Sequence, residues 1–263
     1  MTHILLTNDD GIASPGLATL RRALEPLGSV QTVAPRDNTS AVARSITIDR
    51  PLRLGHVRFA DGAQAVAVDG TPVDCVRVAM LGVLGPVPDL IVSGVNFGAN
   101  MGNDVTYSGT VGAALEAALH GVPGVAISVE TREPVHLSST EPLLTALVER
   151  VLLAPLPHGV VLNVNLPDLP AKEMAGVKVT TLGGASCHDK LVLHDDDGMH
   201  GEYRIVCERA PLEPWAADDF EAVADGYVSL TPLHFDLTSR EGLAALAGWP
   251  LADLLAAALP ALG

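Results

Sequence analysis

The segment Ile4–Leu17 reads ILLTNDDGIASPGL, an apolar run that stops abruptly at Asp9 and Asp10. Such a run is typical of a buried strand that ends at the carboxyl edge of a parallel sheet, where open α/β folds bind their ligands. Pro15 then opens a run of apolar residues at helical spacing, and Gly28 follows its last leucine. The segment therefore predicts a strand, a site and a helix, in that order.

The two neighbouring carboxylates need something to offset their repulsion. Held about 4 Å apart, ionised carboxylates repel by roughly 4 kcal/mol at an effective dielectric constant near 20. Gly11 lets the backbone turn past the strand end, so Asp9 and Asp10 can converge on one cation. Their oxygens suit Mg²⁺, Mn²⁺ or Ca²⁺ better than Zn²⁺. Alternatively, Asp10-Gly11 is a turn and the aspartates cap the helix near Pro15; the segment alone leaves both interpretations open.

A polar loop follows the second predicted strand, which spans Val30 to Ala34. If a βαβ connection joins the first two strands, the loop Pro35–Ser40 lies at the same edge of the sheet as the aspartates. Asn38 and Ser40 can then reach the two carboxylates. The alternative is that both are ordinary turn residues.

The segment Asp89–Glu116 is the second one that indicates chemistry. An apolar strand leads into a loop rich in glycine and asparagine, and Ser108-Gly109-Thr110 then opens a helix. The free N–H groups and the dipole at a helix N-terminus favour an anion, which predicts a phosphate site. A helix cap alone would not need so many glycines, which stand at Gly94, Gly98, Gly102, Gly109 and Gly112.

The remaining chain continues the alternation of strands and helices. Strands are predicted at 124–129 and 160–165 and a helix at 140–153, which favours a doubly wound, mostly parallel sheet. Residues 45–69 alternate in type and predict a β excursion, and a capping box at Thr71–Asp74 opens a helix through Leu84. Residues 177–211 predict a projecting β-hairpin, followed by a strand at 226–232 and a terminal helix. We expect a core at 1–170 and appended elements at 171–263 that contact other subunits.

The acidic charge argues against a protein that coats nucleic acid or binds an anionic membrane. The chain has 263 residues, a formal net charge of −15 and a predicted pI near 4.8, so its field repels nucleic-acid backbones and anionic membranes. A phosphorylated ligand would need a local cation in that field, which favours a bound divalent metal.

Cysteine usage and the termini predict a cytoplasmic protein. No segment reads as a signal peptide or membrane span, because the N-terminus lacks a basic region followed by a long apolar stretch, and prolines and an aspartate interrupt the apolar tail after Leu243. The cysteines are odd in number and widely spaced, which indicates neither a disulfide framework nor a structural zinc site: Cys75, Cys187 and Cys207.

Five blocks of the sequence together resemble the SurE family, the stationary-phase survival nucleotidases. They cover most of the chain in order: LTNDDG at 6–11, the loop at 34–40, GTPVDCV at 70–76, the segment 92–116 and AVADGYVSLTPL at 222–233. The chain departs from the family pattern at Ala41, where glycine is usual, and at Asp218, where threonine usually precedes the aspartate. It also departs at Arg204, which follows Tyr203 where an aromatic residue is common.

The resemblance implies a metal-dependent phosphomonoesterase that hydrolyses nucleoside 5′- and 3′-monophosphates, with short polyphosphate as a further substrate. It implies one divalent ion per subunit, Mg²⁺ or Mn²⁺, held by Asp9, Asp10, Ser40 and Asn96. Asp9, Asp10 and Asn96 are the catalytic residues on this prediction. The phosphate-contacting positions are Asn100, Ser108, Gly109 and Thr110.

The resemblance also implies a Rossmann-like core with a projecting β-hairpin and C-terminal elements exchanged between subunits of a homodimer or homotetramer. We favour in-line attack by water on the phosphoryl group. An aspartyl-phosphate enzyme is the first alternative, although that class uses Asp-x-Asp and the aspartates here are adjacent. A nucleotide-binding regulatory module without turnover is the second, and a phosphate-release assay separates it from an enzyme.

Overall fold

The computed structural model describes residues 1–184, 187–196, 201–209 and 218–251. Strands and helices alternate through the first two thirds of the chain, as predicted. The helices are α1 (Pro15–Leu24), α2 (Pro72–Met80), α3 (Gly109–Leu119), α4 (Glu141–Leu153), α5 (Asp219–Ala224) and α6 (Arg240–Ala247). The strands are β1 (His3–Thr7), β2 (Ser29–Pro35), β3 (Leu54–Arg58), β4 (Gln64–Val68), β5 (Leu90–Phe97), β6 (Gly124–Val129), β7 (Val160–Leu166), β8 (Gly176–Val179), β9 (Cys187–Asp196), β10 (Gly201–Arg209) and β11 (Tyr227–His234).

One large sheet organises the described residues, with the strand order β3-β4-β2-β1-β5-β6-β7-β11-β8. Across the sheet, the neighbouring strands from β4 through β2, β1, β5 and β6 to β7 are parallel. The pairs β3 with β4 and β11 with β7 are antiparallel. β1 lies between β2 and β5, so the chain reverses its winding direction beside β1. That reversal opens a crevice at the carboxyl ends of β1 and β5, the usual ligand site of such sheets.

Helices cover both faces of the sheet, and the residues of β1 show why. Successive strand side chains point to opposite faces. Leu6 packs in the cluster that contains Leu17 of α1 and Leu144 of α4, whereas Leu5 packs in the cluster that contains Val76 of α2 and Ala113 of α3. The continuous apolar run ILL in β1 is therefore explained by burial on both faces.

Local signals set the helix starts as the sequence predicts. Ser14 caps α1 ahead of Pro15, and the Ser108 hydroxyl accepts a hydrogen bond from the N–H of Val111 at the start of α3. At α2, Thr71 and Asp74 form a complete capping box. The sequence predicted that this helix would continue to Leu84, but it ends at Met80.

The predicted β excursion at 45–69 is partly wrong. Residues 45–53 form no strand, because Thr47 gives its N–H and hydroxyl to the Asp74 carboxylate, at 3.0 and 2.7 Å, in place of a neighbouring strand. β4 is also part of the main sheet, since it pairs in parallel with β2. The antiparallel pair β3 and β4 therefore forms the edge of the sheet.

The later part of the chain contributes to the same sheet. β8 and β11 extend it beyond β7, while β9 and β10 form a separate antiparallel hairpin within the predicted segment 177–211. Residues 185–186, 197–200 and 210–211 of that segment lie outside the described part. The α/β class, the mostly parallel sheet and the projecting hairpin are thus confirmed. A division at residue 170 and an exchange of C-terminal elements between subunits stay predictions.

Two further features bear on the predicted class. The Cys75 thiol is buried within α2, and this burial raises its pKa, as expected for a structural cysteine. None of the described helices is long and apolar enough to cross a membrane. The cytoplasmic location stays a prediction.

Candidate active site

A cavity of about 450 Å³ opens where β1 and β5 end. Its wall contains both aspartates, residues of the loop after β2, the loop that leads into α3, and the loop after β6. The lining residues are Asp9, Asp10, Asn38, Ser40, Ala41, Asn96, Phe97, Gly98, Ala99, Asn100, Asp104, Tyr107, Ser108 and Arg132. The structure therefore brings together all four predicted metal ligands and two of the four predicted phosphate contacts.

Asp9 is held firmly although it reaches the cavity. Only 3% of its surface is exposed, and both carboxylate oxygens accept hydrogen bonds from Thr110: Oδ1 from the hydroxyl and Oδ2 from the backbone N–H at 3.2 Å. Its carbonyl accepts the Thr39 N–H at 2.7 Å. Burial raises the pKa of the Asp9 carboxyl, the Thr110 hydroxyl lowers it, and the charge of Asp10 raises it further.

Asp10 is more open and links three chain segments. Its Oδ2 accepts the backbone N–H of Phe97 at 3.1 Å, and its Oδ1 accepts from the Asn38 amide at 3.3 Å. Burial raises the pKa of Asp10, and the Phe97 N–H and the positive charge of Arg132 lower it by less. Two neighbouring carboxylates with raised pKa values are the electrostatic situation that a divalent cation relieves.

Asn96 and Ser40 supply the neutral oxygens. The pairing of β5 with β6 shifts its register between Ser93 and Asn96, a bulge that re-aims the side chains after it. The Asn96 amide nitrogen donates to the Gly98 carbonyl at 2.7 Å, which leaves Oδ1 for a ligand. Ser40 is exposed, and its N–H donates to Asn38 Oδ1 at 2.8 Å.

Asn100 is fixed by asparagines of β7. Its N–H donates to Asn165 Oδ1 at 2.8 Å, and its carbonyl accepts from the amides of Asn163 and Asn165 at 2.8 and 3.0 Å. Its own amide donates to the Ser128 hydroxyl at 2.8 Å. The backbone of the loop is therefore positioned by polar side chains in the interior of the sheet.

The turn Ser108-Gly109-Thr110 binds an anion, but the anion in this structure is Asp9. Thr110 is fully buried and gives both its hydroxyl and its N–H to that carboxylate. A Cβ on Gly109 would lie 2.9 Å from Asp9 Cβ and 3.0 Å from Oδ2, so glycine is needed for the approach. Ser108 lines the cavity, whereas Gly109 and Thr110 lie behind Asp9. A direct phosphate contact by Thr110 stays a prediction, with its donors already in use.

Several residues that form or support this site were not predicted from the sequence. Arg132, three residues after the end of β6, lines the cavity, and a cation close to a strand end was the available signal. Asn163 and Asn165 alternate with apolar residues in a buried strand, which signals a polar face. Asp219 accepts the N–H groups of Gly102 and Gly183, at 2.9 and 2.8 Å, and no local pattern identified it.

The donor set fits a hard divalent cation. It combines two carboxylates with an amide oxygen and a hydroxyl, oxygen ligands of the kind that Mg²⁺ and Mn²⁺ accept. Within the described ranges, no three His, Cys, Asp or Glu side chains form a metal-binding group. A metal held here would therefore depend on neutral oxygens as well as on Asp9 and Asp10.

The sequence model of the family described as Survival protein SurE matches residues 4–189. The chain belongs to the SurE family. It is 45% identical over 263 residues to 5′-nucleotidase SurE of Rubrobacter xylanophilus, an alignment that covers 96% of this chain and 99% of that protein. Its identity to 5′-nucleotidase SurE of Methylococcus capsulatus is 42% over 247 residues, covering 94% and 97% of the two chains.

A solved structure of the family agrees with the fold. The crystal structure of SurE from Aquifex aeolicus superimposes with a TM-score of 0.81 at 38% identity, over 93% of this chain and 98% of that one. The resemblance stated from the sequence blocks is thereby confirmed, as is the Rossmann-like class. Two of the three departures have visible consequences: Ala41 takes a φ of 60°, which glycine adopts more easily, and Asp218 caps α5 through the N–H of Glu221.

Proposed function

We propose that this SurE chain is a divalent-metal-dependent phosphomonoesterase that hydrolyses nucleoside 5′-monophosphates to nucleoside and phosphate. Nucleoside 3′-monophosphates and short polyphosphate are proposed as further substrates. The observation that carries the proposal is the convergence of Asp9, Asp10, Asn96 and Ser40 on one cavity at the winding reversal of the sheet. The two relatives named above as 5′-nucleotidases support the substrate class.

The four oxygen ligands are proposed to hold one Mg²⁺ or Mn²⁺ per subunit. Asp9 and Asp10 supply the negative charge, and Asn96 Oδ1 and Ser40 Oγ complete the protein's share of the coordination. When bound, the cation supplies Lewis acidity toward a phosphoryl oxygen and toward water. Thr110 orients Asp9 for this role, because its hydroxyl and N–H fix the two carboxylate oxygens.

Asn100 and Ser108 are proposed to contact the phosphoryl group, since both line the cavity. Gly109 keeps the start of α3 close enough for the helix dipole to act on the site. Attack by water is favoured over attack by Asp9, because aspartyl-phosphate enzymes use Asp-x-Asp and the two aspartates here are adjacent. Thr110 holds both Asp9 oxygens in a fixed orientation, which suits a metal ligand.

We also propose that the chain forms a homodimer or homotetramer through its later elements. The hairpin β9–β10 exposes apolar side chains, as does α6 with the residues after it, and such exposure on a folded chain marks contact surfaces. They are Leu191, Val192, Leu193, Tyr203, Ile205, Val206, Leu243, Leu246, Trp249 and Leu251. Light scattering at micromolar concentration checks the assembly, and a monomeric mass contradicts it.

Phosphate release is the direct test of the activity. The purified protein is freed of metal with a chelator and given 5′-AMP, 3′-AMP or short polyphosphate, with and without Mn²⁺ or Mg²⁺. We expect no release without metal and release from 5′-AMP once metal returns. Full activity after exhaustive chelation contradicts the metal dependence. Nucleotide binding without phosphate release under any of these conditions supports the regulatory module instead.

A further inference from the structure

Arg132 differs in charge from the other ionisable residues around the cavity. The lining includes three carboxylates, from Asp9, Asp10 and Asp104, and Arg132 is the one arginine or lysine among the described lining residues. The whole chain carries a formal net charge of −15. A phosphate monoester that approaches this cavity therefore meets a negative field in which Arg132 is the local source of attraction.

The guanidinium of Arg132 is available for a ligand. Arg44 and Arg50, by comparison, are engaged in ion pairs with Glu116 and Asp69. Within the part of the chain that the structure describes, Arg132 has no carboxylate within 4 Å. Its positive charge nevertheless acts on the site: it lowers the pKa of Asp10, whereas burial raises it.

The loop that carries Arg132 is built to hold it at the cavity. Both carboxylate oxygens of Asp168, just after β7, accept backbone N–H groups from this loop, those of Val135 and His136, each at 3.0 Å. The Asp168 N–H in turn donates to Glu130 Oε1 at 3.1 Å. The loop is thus anchored on both sides of Arg132. The aliphatic part of the side chain passes Gly98, where a Cβ would lie 3.9 Å from Arg132 Cγ.

We propose that Arg132 binds the phosphoryl group of the substrate and selects phosphorylated ligands over neutral nucleosides, an assignment that rests on the phosphomonoesterase function proposed above. A guanidinium presents its N–H donors in a planar fork that matches two phosphate oxygens at once, and it stays charged at every pH at which the enzyme works. Asn100 and Ser108 offer only neutral contacts to the same group. Arg132 therefore supplies the charge-assisted part of phosphate recognition.

The test compares Arg132→Gln and Arg132→Lys with the parent, using Arg150→Gln on the exposed end of α4 as a control with the same change in charge. Inorganic phosphate and adenosine are the binding probes, each titrated calorimetrically into protein saturated with Mn²⁺. We expect Arg132→Gln to weaken phosphate binding by about 10- to 100-fold, the range for a charge-assisted hydrogen bond. Adenosine binding should be unchanged. Arg132→Lys should be intermediate, because an ammonium keeps the charge but loses the fork.

Kinetics provide the second readout. The KM for 5′-AMP should rise in Arg132→Gln by a factor similar to that for phosphate, with a smaller change in kcat. Parent-like phosphate affinity in Arg132→Gln overturns the assignment, and so does a loss of Mn²⁺ affinity that leaves phosphate binding intact, because Arg132 would then act only on Asp10. If the parent binds phosphate through Arg132 but hydrolyses no nucleotide, the proposed function fails while the anion site stands.

Discussion

Asp9 and Ser40 are proposed to hold the same ion, yet the chain positions them in different ways. Asp9 follows a strand that is buried on both faces, and Thr110 and Thr39 fix its side chain and its carbonyl. Ser40 lies on an exposed loop whose residues Ala41 and Ala43 take φ values of 60° and 54°, a region costly for alanine. The charged ligand is therefore set by the core, whereas the neutral one depends on how a loop packs.

This difference predicts a graded response to mutation. Changes at Asp9 and its partners should affect turnover strongly, because nothing else can replace a buried, oriented carboxylate. Changes in the Ser40 loop should weaken metal binding mildly, because water can replace a neutral oxygen on Mg²⁺, which readily keeps water ligands.

Asp9→Asn should have the largest effect. It removes one of the two charges that hold the cation, so we expect kcat/KM for 5′-AMP with Mn²⁺ to fall by about 10³-fold or more, a loss of several kcal/mol in transition-state stabilisation. Asp49→Asn, an exposed aspartate outside the cavity, is the matched control. Turnover at the parent rate in Asp9→Asn would mean that the reaction occurs elsewhere.

The same variant should leave the metal-free fold intact. Burial raises the pKa of Asp9 above its value in the unfolded chain. The ionised carboxylate therefore destabilises the fold at pH values above both pKa values, and this destabilisation is lost as the pH falls below them. At pH 7 the metal-free Asp9→Asn protein should unfold at the same urea concentration as the parent or a higher one.

Thr110→Val tests the support of Asp9. Valine keeps the shape of the buried side chain and the N–H contact but removes the hydroxyl that donates to Asp9 Oδ1. Loss of such a partner behind a metal ligand typically costs about 10- to 100-fold in metal affinity or activity, and we expect a loss in this range. Thr110→Ser retains the hydroxyl and should recover most activity. Equal activities for the valine and serine variants would reduce Thr110 to a packing residue.

The pairing of Thr110 with Asp9 also shows which features the sequence could predict and which it could not. The strand before Asp9, the start of α1 at Pro15 and the capped starts of α2 and α3 were predicted correctly, because each depends on residues within a few positions of one another. The partner of Thr110 lies 101 positions away in the sequence. A helix N-terminus indicates that an anion is favoured but not which one, so the sequence could not show that Thr110 donates to the Asp9 carboxylate.

The same limit explains the other omissions. Asp168 and Asp219 act through backbone groups of distant segments, and Arg132 acts in a cavity that distant segments form, so a position after a strand end was the one local signal among the three. The strand expected around Thr47 failed for the same reason, since a carboxylate on α2 competes for its backbone. Alternation in sequence shows that a strand can form but not whether another partner binds its N–H groups first.

Ser40→Ala should have a smaller effect than Asp9→Asn or Thr110→Val. It removes one neutral oxygen that water can replace, so we expect Mn²⁺ affinity to fall by less than about tenfold, with kcat at saturating metal close to that of the parent. Metal titration of the activity measures both quantities. Ser45→Ala, on the same exposed loop, is the control. A collapse of kcat at saturating Mn²⁺ would assign Ser40 a role in the chemical step.

Arg44→Gln should have the smallest effect, because it acts on Ser40 only through the loop. Arg44 donates to the buried Glu116 of α3 at 2.9 Å, and the neighbouring Ala43 N–H donates to the Tyr107 carbonyl at 2.9 Å. The loop packs tightly on α3 beside Gly112, where a Cβ would lie 2.9 Å from the Ala43 carbonyl oxygen. Loosening one of these attachments should weaken Mn²⁺ binding about two- to fivefold, the range for a partly exposed ion pair.

Comparison with the double variant Arg44→Gln/Glu116→Gln separates positioning of the loop from stability of the fold. Arg44→Gln alone leaves the buried Glu116 carboxylate without its arginine, so the free energy of unfolding should fall. His120 Nε2, at 3.3 Å from Glu116 Oε1, is then a remaining partner of that carboxylate. Removing the Glu116 charge as well should restore stability, because no buried carboxylate is left without its arginine, but it does not reattach the loop. We therefore expect the double variant to unfold like the parent in urea and to bind Mn²⁺ as weakly as Arg44→Gln. Recovery of both properties together would mean that the ion pair stabilises α3 and has no part in placing Ser40.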